Sequence, residues 1–191
     1  MVINDSPGVN FSGDPEHKKI ANSLIKRRNY HLLIYLMNAT QLATNDEDEH
    51  LEYIKRTVGR TPILFVVNKI DTFNVEEENF RETIERLTEY LKKKGFKHPI
   101  VCPVSSRAGY LAKMFCSGSL SRSEERELYN YVDKFEQMEL SKYYEENYNK
   151  VKIPDADTEE GQLIKTCGLA YVEKFIEILS QGGEIYGTGL Y

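Results

Sequence analysis

Four residues, Asn68-Lys69-Ile70-Asp71, follow directly on the apolar run ILFVV at 63–67. Their chemistry is that of a purine-base site. A carboxylate at Asp71 can accept hydrogen bonds from both the ring N–H and the exocyclic amine of guanine. Adenine does not present that donor pair, so a site built this way rejects it. The aliphatic stem of Lys69 can cover one face of the base, and the Asn68 amide can bond the base edge and tie neighbouring loops together. The same residues would also make a polar turn in which Asp71 and Thr72 cap the next helix. Their place after a buried strand favours a ligand, because open α/β sheets bind ligands at the C-terminal ends of their strands.

A second group, Asp5-Ser6-Pro7-Gly8, follows the short apolar stretch Val2-Ile3. In phosphate-binding sheets an Asp in this DxxG arrangement holds Mg2+ through water, and the Gly lets its backbone N–H approach the terminal phosphate. Asp, Ser, Pro and Gly are equally the residues of an ordinary turn, and only the downstream NKID tips the balance. A third group, Val104-Ser105-Ser106-Arg107-Ala108, follows the run PIVCPV at 99–104. A backbone N–H and small side chains there could close on the guanine carbonyl. The segment serves equally well as a Ser-rich helix N-cap, and Arg107 as a solvated arginine at a helix start.

A sheet must bring these groups together, and the sequence alternates strand and helix signals. Residues 1–3 read as a short strand. Asp14-Pro15 reads as a helix start, with the helix running to about Asn29. LLIYLM (32–37) and ILFVV are continuous apolar runs, as expected of strands buried on both faces. Between them, the acids at 45–49 suit the first turn of a helix, Leu51, Ile54 and Val58 form its apolar stripe, and Gly59 can end it. Phe80, Ile84, Leu87 and Leu91 mark a further amphipathic helix stopped by Gly95. Pro103 suggests that the third strand lies at an edge. This βαβαβ order predicts a parallel sheet with helices on both faces. From 121 to about 150 the chain is charged, Tyr-rich and helical in pattern, with a loop around 153–157. Val172, Phe175, Ile176 and Leu179 give one more amphipathic helix.

The 191 residues carry 25 Lys+Arg against 30 Asp+Glu, a net charge of -5, and 40% are hydrophobic. That suits a single domain with a real core and argues against disorder and against a nucleic-acid partner held by charge. The aromatic stretch 129–148 lacks the basic stripe of a base-stacking platform. It reads as a helical packing surface. No apolar run approaches the ~20 residues of a membrane span. Three cysteines without CxxC spacing fit a reducing compartment and argue against a disulfide or zinc scaffold. The four histidines, His17, His31, His50 and His98, are scattered and read as solvated.

In their order and spacing, DSPGVN, LLIYLMNATQLATNDEDEHLEYI, ILFVVNKID and PVSSRAG resemble the guanine-nucleotide-binding domain of the dynamin family of large GTPases, bacterial dynamin-like proteins in particular. The resemblance implies an α/β, P-loop NTPase (GTPase-type) fold. Its mostly parallel sheet would have helices on both faces and a helical insertion, and would be truncated at the N-terminus. Residues 1–191 would then be a partial GTPase domain, with a nucleotide-site core at 1–114, the insertion at 115–157 and a closing helix with an unfinished connection at 158–191. The resemblance implies that Gly8, Asn68, Lys69, Asp71, Ser105, Ser106 and Arg107 bind the nucleotide and that Asp5 holds Mg2+ through water. GTP or GDP with Mg2+ would be the cofactor of the complete domain. No residue is assigned a catalytic role.

The family pattern also requires a glycine-rich loop ending in Gly-Lys-Ser/Thr ahead of DxxG, and a switch threonine between the two. Neither stands in this sequence. Gly8 and Gly13 have the glycine spacing of that loop, but Asp14 would repel phosphate and Pro15 removes an N–H donor. The stretch reads instead as the switch loop after DxxG. The expectation is therefore the C-terminal part of a GTPase domain, which by itself binds no nucleotide tightly and does not hydrolyse GTP. The absent central strand would leave two edges unpaired and open to self-association, as the nucleotide face also would be. The resemblance implies a cytoplasmic protein, membrane-peripheral only through parts outside this chain. The alternative is a non-catalytic interaction module acting through its sheet edges and the helices at 121–150.

Overall fold

Three apolar runs become the strands of one sheet. A computed structural model describes residues 2–6, 15–27, 29–42, 44–74 and 79–185. In it β1 (Leu33–Asn38), β2 (Ile63–Asn68) and β3 (Ile100–Val104) pair in parallel in the order β1-β2-β3. Leu33 stands opposite Ile63 and Leu64 opposite Ile100, which brings Asn38, Asn68 and Val104 level at the C-terminal end. The helices are α1 (Pro15–Arg27), α2 (Asn45–Val58), α3 (Phe80–Lys93), α4 (Ser106–Cys116), α5 (Arg122–Met138), α6 (Leu140–Asn147), α7 (Glu159–Thr166) and α8 (Leu169–Ser180). The expected parallel α/β sheet flanked by helices is thus the fold, consistent with a P-loop NTPase-like architecture.

The helix boundaries follow from local chemistry. Thr44 caps α2 by accepting from the Glu47 amide, and Asn79 caps α3 by accepting from the Arg81 amide. Such caps satisfy N–H groups that have no partner within the helix. α2 ends at Gly59, whose φ of 72° a side-chain-bearing residue rarely adopts. Leu51, Ile54 and Val58 of α2, and Phe80, Ile84, Leu87 and Leu91 of α3, are all buried. Each fully buried Leu or Ile contributes about 2 kcal/mol of transfer free energy. The two helices are joined at their polar rims, where the Lys94 ammonium donates to Asp48 at 2.6 Å and the Tyr90 hydroxyl donates to the same carboxylate. Phe65 of β2 packs edge-on against Tyr35 and Phe96 on this face.

β2 is the centre: Leu64 to Val67 are buried on both sides. The outer strands differ. On β3, tyrosines from α6 and the residue that follows it close the free edge. The Val101 amide donates to the Tyr148 hydroxyl at 2.8 Å, and the Tyr143 and Tyr148 hydroxyls donate to the Val101 carbonyl at 3.1 and 3.0 Å. The Tyr144 hydroxyl donates to the Pro103 carbonyl at 2.6 Å. Pro103 has no N–H to satisfy there, so proline is tolerated at this edge. The Tyr-rich stretch is indeed a packing surface, and it also completes the backbone hydrogen bonding of a strand. Tyr144 then stacks on Tyr171 of α8, ring centroids 4.1 Å apart. β1 has no second strand among the described residues, and its burial alternates. Tyr35 and Met37 face the α2 side and are buried, while Leu36 on the other side is 65% exposed.

Two expectations are corrected. Residues 2–6 contain no strand, and Val2 and Ile3 are exposed. This short run makes no ladder hydrogen bonds with the sheet, and extended chain without them does not hold as a strand. His50 is buried, not solvated, because it stands four residues before Ile54 on the inward side of α2, against Tyr35 of β1. The amphipathic helix expected from Val172, Phe175, Ile176 and Leu179 is α8, and α7 precedes it across Gly168. Its φ is 87°, and a Cβ there would lie 2.4 Å from the Pro103 carbonyl oxygen. Of the free cysteines, Cys102 and Cys167 are buried and Cys116 is exposed. Burial pushes the Cys102 and Cys167 thiols well up.

Two measurements check this packing. Tyr148→Phe should cost about 1–3 kcal/mol in urea unfolding, because it strands the Val101 N–H. Tyr143→Phe should cost less, since the Val101 carbonyl keeps Tyr148. The His50 ring hydrogen-bonds the Tyr35 hydroxyl at 3.4 Å, and burial lowers its pKa from 6.5 to about 4. The unfolded chain therefore binds the extra proton first as pH falls. Stability should be full above about 6.5 and should decline toward about pH 4, with a shallower decline in His50→Gln.

Candidate base-recognition site

The C-terminal end of β2 runs straight into the tetrad. Asn68 is the last residue of the strand and half-buried. Its Oδ1 accepts from the Ser106 amide at 3.0 Å, so the loop after β2 is tied to the loop after β3. This is the loop-tying role anticipated for the amide. Lys69 then turns the chain with φ 69°, one of two non-glycine residues with positive φ among those described. A left-handed residue costs roughly 1–2 kcal/mol, and this one turns the backbone out of the strand and leaves the Lys69 side chain exposed. Ile70 anchors the turn with a fully buried side chain.

Asp71 sits in the middle of a single 3-10 turn, Ile70–Thr72. The turn is closed on itself: the Thr72 amide donates to the Lys69 carbonyl at 3.1 Å, the Thr72 hydroxyl donates to the same oxygen at 2.7 Å, and the Phe73 amide donates to the Ile70 carbonyl at 3.2 Å. The Asp71 side chain is half-buried. Its main-chain carbonyl accepts from the Lys134 ammonium at 2.6 Å. No hydrogen bond to its carboxylate is seen among the described residues. A carboxylate held this way keeps its lone pairs for an incoming N–H pair.

Across the gap, Ser105 is fully buried and caps α4, its hydroxyl accepting from the Ala108 amide at 3.2 Å. Its own amide donates to the Cys167 carbonyl at 3.0 Å, which ties this loop to the α7–α8 junction. The capping role that competed with ligand binding is therefore filled by Ser105, while Ser106 and Arg107 are exposed. Arg107 is engaged: its Nε and Nη2 donate to the two carboxylate oxygens of Glu127 at 2.9 and 2.6 Å. This two-point geometry is the strong form of the pair. It raises the guanidinium pKa and holds the Glu127 carboxyl below its usual range.

The structure thus brings Asn68, Lys69, Asp71, Ser105, Ser106 and Arg107 to one end of the sheet. Gly8 lies outside the described residues. Asp5 is exposed, with no hydrogen bond or ion pair among the described residues. No group of three His, Cys, Asp or Glu is gathered for a metal among the described residues. Sequence reasoning missed Glu127, Tyr131 and Lys134 of α5, which approach the same end. The signal was there as polar residues at i, i+4 and i+7, one position before the apolar stripe Leu128, Val132 and Phe135.

These polar loops gather at the C-terminal ends of a parallel sheet, the place where open α/β sheets bind ligands. Similarity to known proteins narrows this. Clamp-binding protein CrfC of Escherichia coli (strain K12) is 28% identical over 112 residues, 59% of this chain and 15% of that protein. Elongation factor 1-alpha of Methanoregula boonei is 25% identical over 97 residues, 50% of this chain and 23% of that protein. The chain therefore spans less than a quarter of either relative. No family model and no solved structure matches it. This distant similarity supports a GTPase-like fold.

Replacing Asn68 with Ala should free the Ser106 amide. Its hydrogen exchange should rise about tenfold, while the amides of α3, which do not depend on Asn68, keep their rates.

Proposed function

We propose that this chain is the base-recognition part of a dynamin-like, GTP-binding domain. Asp71 reads the guanine N–H pair, Lys69 covers one face of the base, Asn68 fixes the two loops, and the backbone at Ser105 and Ser106 with Arg107 closes the rim. The observation that carries the reading is Asp71 on a self-closed turn at the end of the central strand, with its carboxylate half-buried. In this proposal Asp5 and Gly8 serve the Mg2+ and phosphate side. The Lys and Ser/Thr that do most of the phosphate work in phosphoryl transfer have no counterpart in the sequence. Guanine nucleotide therefore binds weakly, and GTP is not hydrolysed by this chain alone. The bound metal and triphosphate would supply the electrostatics of transfer; this chain's residues supply base selection and orientation.

The test is a titration of the chain with GDP, XDP and ADP, with Mg2+ present, followed by amide shifts in NMR. GDP should perturb residues 68–73 and 105–107, and ADP should not. Asp71→Asn should exchange guanine preference for xanthine by about 100-fold, because an amide can donate to the carbonyl that xanthine carries in place of the amine. An unchanged GDP response in Asp71→Ala would refute the reading.

A second reading, a non-catalytic interaction module, is favoured by one observation: β1 shows an apolar face, with Leu36 65% exposed, beside an unpartnered edge. Sedimentation of the chain as a dimer that Leu36→Lys disperses, with Asp71→Ala without effect, would carry it.

A further inference from the structure

We infer that α5 is a positioning element for the base site, holding both of its loops from one polar stripe. The inference rests on the guanine reading of Asp71. Residues Glu127, Tyr131 and Lys134 are spaced four and three apart, so they lie along one side of the helix across two turns. At one end of the stripe, Glu127 takes Arg107 of the β3–α4 loop in a two-point pair. At the other end, Lys134 donates to the main-chain carbonyl of Asp71 at 2.6 Å, in a half-buried setting. Between them, Tyr131 lies within reach of both the Glu127 and the Asp71 charges. With burial as the first cause, they raise its hydroxyl pKa to about 12.

The helix is itself firmly placed. Ser121 and Glu124 form a reciprocal capping box at its start, and Leu128, Phe135 and Met138 are buried beneath the stripe. Its axis therefore fixes the separation of its two polar grips, and with it the separation of the two loops. Asn68 joins those loops from below through Ser106. Asn68 acts through one hydrogen bond at the sheet, and α5 acts from outside at both rims.

The grip at Asp71 matters most. A main-chain carbonyl held by an ammonium fixes the peptide that carries the reading carboxylate without occupying the carboxylate. Lys134 can thus set the direction of Asp71 and leave both oxygens for the base. Loss of that grip should relax discrimination more than it weakens general attraction to a nucleotide. The effect should be strongest against hypoxanthine, which keeps the ring N–H of guanine and lacks its amine.

Lys134→Met keeps the stem and removes the donor; Lys134→Arg restores a donor. The full chain is examined by hydrogen exchange without ligand, and by titration with GDP and IDP. In Lys134→Met, exchange at Thr72 and Phe73 should rise about tenfold while α3 and β2 amides are unchanged. The GDP-over-IDP preference should fall about fivefold or more, and Lys134→Arg should recover most of both. Glu127→Gln should loosen Ser106 and Arg107 without moving Thr72. Unchanged exchange at Thr72 and Phe73 in Lys134→Met would overturn the positioning role, whatever the nucleotide does. Faster exchange with no response to GDP even in the parent chain would leave the grip standing and sink the guanine reading beneath it. A uniform rise across α3 and β2 would show a merely structural loss and would also overturn the inference.

Discussion

The backbone of β3 has to be satisfied on an edge that no strand covers among the described residues, and the solution organises half of the molecule. Buried amides and carbonyls left without partners each cost a sizeable share of a domain's stability. Here three tyrosine hydroxyls serve Val101 and Pro103. Placing those rings fixes α6 against the sheet and brings Tyr144 onto Tyr171 of α8. α6 follows α5 with one intervening residue, Glu139, in a left-handed turn. The position of α5 over the base-site loops is therefore a downstream result of closing the edge. Edge protection and site construction are served by the same stretch of chain.

The opposite edge of the sheet is handled differently. β1 is buried on its α2 side and bare on the other, among the described residues. Natural sheets blunt such edges with charge, proline or a covering element. Among the described residues none of these is seen on β1, whose sequence LIYLMN reads as an interior strand. A strand with an interior sequence and an edge position is a local conflict of the kind that marks functional or completed-by-contact surfaces.

The strands and their order were legible because burial on both faces leaves long apolar runs, and few other elements produce ILFVV followed at once by NKID. The end of α2 at Gly59 was legible as capping chemistry, while the N-caps Thr44 and Asn79 emerged only from the structure. His50 was misjudged because it was weighed as a residue type and not as a position. Standing four residues before the buried Ile54, it shares the inward side of α2. The break at Gly168 was invisible because it depends on the close approach of the Pro103 carbonyl, a contact between segments far apart in sequence. The partners of Arg107 and Asp71 on α5 were hidden for the same reason. Their spacing was readable, but which loop a polar stripe would meet depends on tertiary packing. The amide tie from Asn68 was foreseeable from its type, and its partner, Ser106, was not.

One consequence follows from where the cysteines fall. Cys102 and Cys167 are buried with thiols held protonated, while Cys116 is exposed at the last turn of α4. The reactive species is the thiolate, and it needs access. Among the three, a thiol-directed dye would therefore select Cys116 in the folded chain. That label would sit at the far end of the same rigid helix whose first turn, at Ser106 and Arg107, meets both Asn68 and α5. The fold thus offers a natural optical handle on the loop that borders the candidate site, and no engineered cysteine is needed to use it.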